Sequence, residues 1–401
     1  MLMNLSILFF LAIGLMSALL NSTAPTPLYP LYQSEFNLTS VSLTLIYAAY
    51  AAGVIITLLT VGYISKKLSD LRYMIIPSLI LVFLGSAVFA FADSFVWLFT
   101  ARVIAGIGTG ALTGAANVSL VRYGPNDNGK IAALIATLSF TTGLALGPVV
   151  SGFSLQLNCY PTVSPFVFIM VFSIIALVGI MISWPKNIKE GRGNKMELNE
   201  CVSDNSISSN KNMYSSRKFF IVSFSLFICW VIAASIFSLG PSIAQEVLGI
   251  HKNGIFGYVM AVYLIIAGVS QIVSRKISPE LSLFYGGVSI FCAVLILFLS
   301  LFFGSVFLAS IGLIIAGYSY GAVFVGCATL INIISPKMNH SKIVSKFYFI
   351  AYVANWVPVL LGMIVDHISL VVAADVLLLI SFVICGLMSL LIKKTDFYLI
   401  V

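Results

Sequence analysis

Arg102 is the residue whose setting in the sequence points most directly to chemistry. It lies in the stretch RVIAGIGTGALTGAA (102–116), within an apolar segment that runs roughly from 95 to 118. A charge inside a bilayer is costly, and such residues commonly mark a substrate or ion pathway. We therefore expect Arg102 to supply a positive charge to a binding cavity, or to act as a structural strut that donates hydrogen bonds to helix carbonyls.

Acidic side chains are natural proton carriers, and few fall inside apolar segments. Asp375 is the one acid within a segment, where it fits either a proton site or a charge that stabilises a helix N-terminus. Asn21 lies deep in the first segment, but an amide does not release a proton near neutral pH. We expect the acids at or beyond segment ends to cap helices or to be solvated; these are Glu35, Asp93, Glu246 and Asp366. The residue that carries a coupling proton is therefore unassigned.

The sequence shows no constellation of side chains typical of an enzyme. Its six cysteines are mostly within apolar segments and its three histidines lie in loops, so no metal-ligand cluster is expected. The Walker pattern G-x-x-x-x-G-K-[ST], which would indicate ATP hydrolysis, is absent from the sequence. We expect no enzymatic activity, no metal and no bound cofactor, with a transmembrane proton gradient as the energy source.

These residues belong to a chain whose composition requires a bilayer. Of its 401 residues, 60% are apolar and 8% are charged, whereas globular proteins carry about 25% charged residues. The mean hydropathy is +1.09. Twelve apolar segments have the length of about 20 residues that crosses the hydrocarbon core as a helix. They run roughly over 5–32, 41–61, 74–92, 95–118, 131–155, 164–184, 219–241, 254–273, 282–302, 305–333, 346–365 and 369–392.

The distribution of basic residues indicates the orientation of these segments. With both termini on one side, 19 of the 21 Lys and Arg residues fall in loops on that side. Cytoplasmic loops carry such an excess of positive charge. We therefore expect an integral, multi-pass protein of the plasma membrane (the bacterial inner membrane) with both termini cytoplasmic. The net charge of +8 then reflects orientation and contact with anionic lipid headgroups, not with nucleic acid.

The two halves of the chain resemble each other. GPVVSG at 147–152 returns as VPVLLG at 357–362, with an offset of 210. YISKKLS at 63–69 returns as IVSRKIS at 272–278, with an offset of 209. Because an even number of segments separates the copies, the repeats run parallel, as they do in transporters built from two bundles.

A single long polar stretch divides the twelve segments six and six. Residues 185–218 carry many charges and little apolar content, which is typical of a flexible linker, here cytoplasmic. We predict an all-α membrane protein in which residues 1–184 and 219–401 each form a bundle of six transmembrane helices. The bundles are expected to be related by a pseudo-twofold axis.

Local motifs resemble those of the major facilitator superfamily, and the resemblance covers essentially the whole chain. G-x-x-x-G-P-x-x-x-G in the fifth segment is similar to the motif typical of the family's twelve-helix drug/proton antiporters; its residues are Gly143, Gly147, Pro148 and Gly152. The element R-x-x-x-G-x-G that begins at Arg102 is similar to one in the family's fourth helix. The resemblance implies a transporter with two bundles.

The fifth-segment motif has a physical interpretation. Small residues four apart let two helix backbones approach closely, and a proline is tolerated where a neighbouring helix satisfies the freed carbonyl. We expect a kinked, tightly packed helix at the seam between the bundles, with a packing kink without a transport role as the alternative. A weaker copy at Pro358 and Gly362 favours a hinge-like use in both halves.

The loop GYISKKLSDLRYM (62–74) resembles the family's G-x-x-x-D-R-x-G-R-R/K gating loop only in part. Gly62 and basic residues are present, but Lys66 stands at the acid position and Asp70 is displaced by four. We name Gly62, Lys66, Lys67, Asp70 and Arg72 as the candidate gating loop. Topological anchoring by the lysines alone is the favoured alternative.

The resemblance also implies which segments line the central cavity, namely the first, fourth, seventh and tenth, with the second, fifth, eighth and eleventh at its sides. We select the polar and aromatic residues at mid-depth in those segments. They are Asn21, Tyr50, Arg102, Trp230, Tyr263, Tyr318, Asn355 and Trp356. Such an aromatic, mostly apolar cavity with one positive charge suits amphipathic or anionic organic compounds better than sugars.

These observations predict a secondary transporter that moves a small organic molecule by alternating access, with proton-coupled efflux as the preferred direction. An importer, either a symporter or a uniporter, is the first alternative, because the family's first-helix acid is replaced by Asn21. A receptor or assembly partner that transports nothing is the second. The expected partners are the lipid bilayer and the small-molecule substrate, and we expect a monomer.

Overall fold

The computed structural model describes residues 2–64, 70–125, 130–158, 160–184, 216–250, 254–336 and 340–395. These residues form fourteen α-helices, and no β-strand occurs among them. The helices of the first half are α1 (Leu2–Thr23), α2 (Tyr29–Glu35), α3 (Ser40–Ile64), α4 (Arg72–Ala90), α5 (Phe95–Tyr123), α6 (Lys130–Leu157) and α7 (Ser164–Ser183). Those of the second half are α8 (Ser216–Glu246), α9 (Ile255–Ser274), α10 (Pro279–Phe303), α11 (Val306–Ile334), α12 (His340–Val353), α13 (Val357–His367) and α14 (Leu370–Lys393).

The described helices form twelve spans that are long and apolar enough to cross a bilayer, which confirms the predicted number. Two of the spans are interrupted. The first combines α1, a 3₁₀ turn at Thr26–Leu28 and α2, because Pro25 and Pro27 lack the N–H groups that an α-helix needs there. The eleventh combines α12, a 3₁₀ turn at Ala354–Trp356 and α13, whose second residue is Pro358.

The apolar interior is divided between two bundles. One buried cluster draws on α1–α7, between Ile7 and Trp184. A second draws on α8–α12 and α14, between Ile221 and Ile392, with Ala145 of α6 added at the junction. A third, smaller cluster joins α8, α13 and α14 through Leu239, Leu361 and Leu370. The predicted all-α fold of two bundles is therefore confirmed. Residues 185–215 of the predicted linker lie outside the described residues, so the limits of the linker stay a prediction.

The two ends of the bundles differ in charge. We call one end the basic end because positive residues lie at its helix termini; they include Arg72, Arg122, Arg217, Arg275 and Lys393. We call the other the acidic end because carboxylates lie at its helix termini or in its short turns; they include Glu35, Asp93, Glu246 and Asp366. This separation follows the pattern predicted from the sequence.

Helix α6 packs against α1 through the glycines of the fifth-segment motif. A Cβ atom added to Gly143 would lie 2.6 Å from the carbonyl oxygen of Met16. One added to Gly147 would lie 2.7 Å from the carbonyl oxygen of Leu20. Real Cβ atoms do not approach backbone so closely, and the absence of side chains here is what lets the two helices touch.

Hydroxyl groups complete the contact between α1 and α6. Pro148 has no N–H, which leaves the carbonyl of Leu144 without its partner within the helix. Thr23 Oγ1 of α1 donates to that carbonyl at 2.7 Å. In the opposite direction, Ser151 Oγ donates to the carbonyl of Ala24 at 2.6 Å. The expectation that a neighbouring helix satisfies the freed carbonyl is confirmed, and α6 continues through the proline.

Gly147→Ala is expected to lower the free energy of unfolding by about 1–3 kcal/mol, because its methyl group overlaps the α1 backbone. Thermal denaturation of the purified protein in detergent measures the effect. Gly287→Ala is the matched control, since its added Cβ would lie no closer than 3.4 Å to its nearest neighbour. Equal melting temperatures for the two variants would contradict the close approach of α1 and α6.

Candidate functional site

Arg102 lies in the second turn of α5 and is buried, with 1% of its surface exposed. Its Nη1 atom donates to the carbonyl of Ser22 at 2.7 Å, and its Nη2 atom donates to the hydroxyl of Tyr29. Ser22 is the penultimate residue of α1, where carbonyls lack helical partners and the helix dipole is negative. Arg102 therefore caps the end of α1 in the manner expected of a strut.

An aromatic cage surrounds the guanidinium group. Its Cζ atom lies 5.7 Å from the ring centre of Tyr50, 5.8 Å from those of Tyr29 and Phe89, and 6.0 Å from that of Tyr47. Rings at this distance attract a cation through their negative faces. Four elements supply the cage, since Tyr29 comes from α2, Tyr47 and Tyr50 from α3, Phe89 from α4 and the cation from α5.

The charge of Arg102 is not fully compensated. Its Nε atom has no hydrogen-bond partner. The one ion pair found among the described residues joins Arg72 and Asp70, so no described carboxylate neutralises Arg102. Buried charges are normally paired. The helix end and the aromatic rings only partly replace a counter-ion, and the arrangement is chemically suited to attract an anion.

Asn21 lies next to the carbonyl that Arg102 bonds, but its side chain takes another direction. It is fully buried, and its Nδ2 atom donates to the carbonyl of Val82 in α4 at 3.3 Å. Its Oδ1 atom has no partner. Asn21 and the carbonyl bonded by Arg102 are thus adjacent on α1, with the amide inside the first bundle between α1 and α4.

A polar bridge joins the cage to the second bundle. The hydroxyl of Tyr47 donates to Oδ1 of Asn355 at 3.2 Å, across the seam between α3 and the eleventh span. Nδ2 of Asn355 donates to the carbonyl of Tyr352 at 3.0 Å. The ring of Tyr352 lies 5.0 Å from that of Trp230 in α8. Arg102, Asn355 and Trp230, three of the predicted cavity residues, are therefore linked through two tyrosines.

The second bundle contributes an aromatic wall. Trp230 lies 6.5 Å from Phe324 between ring centres, and its indole N–H has no hydrogen-bond partner. Tyr263 of α9 is buried, with its ring 5.8 Å from Phe237 and 6.1 Å from Tyr320. Tyr318 is half-buried on α11.

Trp356 is the cavity candidate that the structure separates from the others. It is 39% exposed and lies on the same exposed stripe of the eleventh span as Val353, Leu360 and Met363. Residues at these spacings share one helix face. The opposite face is buried and includes Ala354 and Leu361. Trp356 therefore faces the lipid side of the span.

The sequence reasoning missed Tyr29 and Tyr352, and it considered Tyr47 for the cavity but left it out of the selected set. Tyr29 follows two prolines and is carried inward by the 3₁₀ turn, which hydropathy does not reveal. Tyr47 lies seven residues from the start of α3, a depth that also fits a tyrosine of the membrane interface. Tyr352 lies three residues before Asn355, on a neighbouring part of the same helix face. This spacing could have identified Tyr352 as a cavity candidate.

The motif residues beyond the α1 contact lie at the two seams between the bundles. At the first seam, a Cβ on Gly152 of α6 would lie 2.6 Å from the carbonyl oxygen of Gly254, and Pro148 contacts Gly257 of α9. At the second seam, a Cβ on Gly362 of α13 would lie 2.9 Å from the carbonyl oxygen of Ser40 in α3.

Pro358 lies one turn before Gly362, as Pro148 does before Gly152. The two pairs are separated by 210 residues, the offset between the repeated halves of the chain. Gly152 and Gly362 therefore lie at the seams, whereas Gly143 and Gly147 contact α1 of their own bundle. The use of the two motif copies as hinges stays a prediction.

The candidate gating loop is described only in part. Lys66 and Lys67 lie outside the described residues, and Gly62 lies in the last turn of α3. Asp70 accepts hydrogen bonds from the backbone N–H and Nε of Arg72, at 2.9 and 2.7 Å. This pair is local and belongs to the first bundle, where Arg72 also lies 5.7 Å from the ring of Trp184.

Asp375, the candidate proton site, lies in the second turn of α14 and is half-buried. Among the described residues, no group of three or more His, Cys, Asp or Glu side chains is placed to hold a metal ion.

Two helical bundles that meet around a buried, charged aromatic cluster are typical of membrane transport proteins. The sequence model of the Major Facilitator Superfamily matches residues 11–358, and the chain belongs to that family. It is accordingly an integral, multi-pass membrane protein that acts in transport and is not an enzyme.

Solved structures share this fold across almost the whole chain. One is a bacterial homolog of the human lysosomal transporter Spinster, in an inward-facing and unoccupied conformation. It has a TM-score of 0.73 and 14% identity, and the match covers 98% of this chain and 97% of that one. A POT family transporter in complex with a thioalcohol-conjugated peptide has the same TM-score and identity, with 97% and 96% covered.

A curated relative is similar over a shorter region. The bacillibactin exporter of Bacillus subtilis (strain 168) is 28% identical over 133 residues, which are 31% of this chain and 32% of that protein. The match spans about a third of the exporter's length.

The bridge between the bundles can be tested by a double-mutant cycle. Tyr47→Phe and Asn355→Leu are expected to be coupled by about 0.5–1.5 kcal/mol in the free energy of unfolding, since each removes one side of the same hydrogen bond. Denaturation of the wild type, both single variants and the double variant gives this value. Tyr47→Phe combined with Ser310→Ala, a distant exposed hydroxyl, should be additive. A coupling of zero in the first cycle argues against the bridge.

Proposed function

We propose that this protein is a secondary transporter that exports amphipathic organic anions with aromatic groups, by alternating access and in exchange for protons. The observation that carries the proposal is the uncompensated charge of Arg102 inside its aromatic cage. A cation held this way favours a ligand that brings the missing negative charge. The aromatic wall around Trp230 offers stacking contacts to the rest of such a ligand.

The location of the cage supports a transport role for it. Arg102 is held by the first bundle, whereas Trp230 and Asn355 are held by the second, and Tyr47 bridges the two groups. A ligand that contacts both groups binds each bundle at once. Its binding then depends on how the bundles are placed relative to each other, which is what alternating access requires.

Export is the direction that the sequence and the relatives favour. The fifth-segment motif is intact at Gly143, Gly147, Pro148 and Gly152, and the partial relative is an exporter. We propose that the basic end faces the cytoplasm of a plasma membrane, the inner membrane in bacteria, with both termini there. The protein is proposed to act as a monomer in the lipid bilayer.

Import is the second candidate function, and one observation favours it. Asn21 stands where the exporters that the chain resembles carry an acid, and its amide is buried against α4 rather than available to a proton. A symporter or uniporter of an organic anion fits the same cage.

Flux measurements in everted membrane vesicles distinguish the directions. With an acidified lumen, an antiporter accumulates 2-naphthoate in the lumen, a symporter depletes it, and a uniporter is insensitive to the imposed gradient. Accumulation that the empty membrane does not show supports the proposal. Depletion or insensitivity overturns proton antiport and favours the second candidate.

Arg102→Gln is expected to weaken 2-naphthoate binding at least tenfold, because a hydrogen-bonded charged group contributes about 1.5–3 kcal/mol. It should also abolish the preference for 2-naphthoate over neutral 2-naphthamide. Arg102→Lys should retain part of that preference, since it keeps the charge but not the planar donors. Binding is measured by titration of the purified protein, with Arg217→Gln at the exposed basic end as control. An unchanged preference in Arg102→Gln would place the anion elsewhere.

A further inference from the structure

Asp366 forms a contact that none of the roles above uses. It is the penultimate residue of α13, at the acidic end, and it belongs to the second bundle. Its Oδ1 atom accepts a hydrogen bond from the backbone N–H of Ser40 at 2.7 Å, and its Oδ2 atom accepts one from Val41 at 3.0 Å. Ser40 and Val41 are the first residues of α3, in the first bundle. The carboxylate therefore caps a helix of the opposite bundle, across the second seam.

The cap requires an ionised carboxylate. The first N–H groups of a helix have no partners within the helix, and the positive end of the helix dipole attracts a negative charge. Here each oxygen accepts one N–H. Adding a proton to either oxygen directs an O–H toward an N–H donor, which removes one hydrogen bond and the charge together.

The cap also closes the seam at the acidic end. One turn before Asp366, Gly362 lies against the carbonyl of Ser40 and the hydroxyl of Thr44, with no side chain between the helices. Separation of α3 from α13 at this end breaks both hydrogen bonds. Because Asp366 is exposed, protons reach it from the solution while the seam is closed.

The equivalent position at the first seam holds a side chain that does not titrate. The offset of 210 places Gln156 where the second half has Asp366. Oε1 of Gln156 accepts a hydrogen bond from the hydroxyl of Tyr258 at 3.0 Å, across the seam between α6 and α9. An amide keeps this bond at any pH near neutrality. One seam is therefore sensitive to protons at the acidic end and the other is not.

We propose that Asp366 is a proton-binding latch, which holds the acidic end closed when ionised and releases α3 when protonated. Other titratable groups on the elements packed against α13 are Glu246 at the end of α8, Asp375 in α14 and the tyrosines of α3, and His367 follows Asp366 in the chain. Of the described acids, Asp366 is the one with hydrogen bonds across a seam. The latch does not depend on the substrate or on the direction of transport.

Distances between spin labels in the full-length protein test the latch without any substrate. The six cysteines are replaced, and labels are placed at Phe91→Cys and Phe303→Cys, two exposed positions at the acidic end of the first and second bundle. The protein is measured in lipid nanodiscs between pH 7 and pH 3, a range that includes the pH at which aspartate carboxylates take up a proton. In the parent, a longer distance is expected to gain population as the pH falls.

Asp366→Asn is expected to show the longer distance already at pH 7, with the open-to-closed ratio raised about two- to tenfold and no longer dependent on pH down to pH 3. Asp366→Glu keeps the acid and should restore the pH response in part, which controls for folding. Glu246→Gln and Gln156→Leu should retain the response of the parent. A parent that does not respond to pH, or an Asp366→Asn variant that behaves like the parent, overturns the latch. Either result leaves anion transport by the Arg102 site intact, as that is measured separately.

Discussion

Within a bilayer every backbone carbonyl needs a partner from the protein itself, and the prolines of this chain create several that have none. Side chains of neighbouring helices supply the missing hydrogen-bond donors. Thr23 donates a hydrogen bond to the α6 carbonyl that Pro148 leaves without a partner. Ser151 donates to a carbonyl beside the break in the first span, and Arg102 donates to the carbonyl of Ser22 at the end of α1. These three donors fix how α1, α5 and α6 meet. The position of the cage follows from them, because Arg102 is held at the point where α1 ends.

The two sequence-based interpretations of Arg102 therefore describe one arrangement. As a cap it stabilises the end of α1, and the helix dipole in turn stabilises the cation. As a charge without a described carboxylate partner, it lacks the salt bridge that would oppose the binding of an anion, which is the basis of the proposed function. The tyrosines serve both purposes, since Tyr29 accepts a hydrogen bond and Tyr47 extends the cluster toward the second bundle.

Hydropathy and the internal repeat predict the twelve spans and the two bundles because both depend on composition along the chain. The direction in which a side chain points is harder to predict, since these spans are apolar on all sides and show little helical periodicity. Trp356 and Asn355 are adjacent in the sequence, yet one faces lipid and the other the seam. The cap on α3 was unpredictable for another reason. Capping by Asp366 was expected, but a partner 325 residues away becomes visible only when the bundles are assembled.

The hydrogen bond from Tyr47 to Asn355 has a consequence for the unloaded carrier. It is a polar contact between the two bundles, and Tyr47 is also one of the rings around the cation. In the proposed transporter, a substrate that reaches the guanidinium from the second bundle displaces one of these two side chains. Under the proposed function, this hydrogen bond competes with the substrate, so that binding of the substrate and weakening of the contact between the bundles are thermodynamically linked.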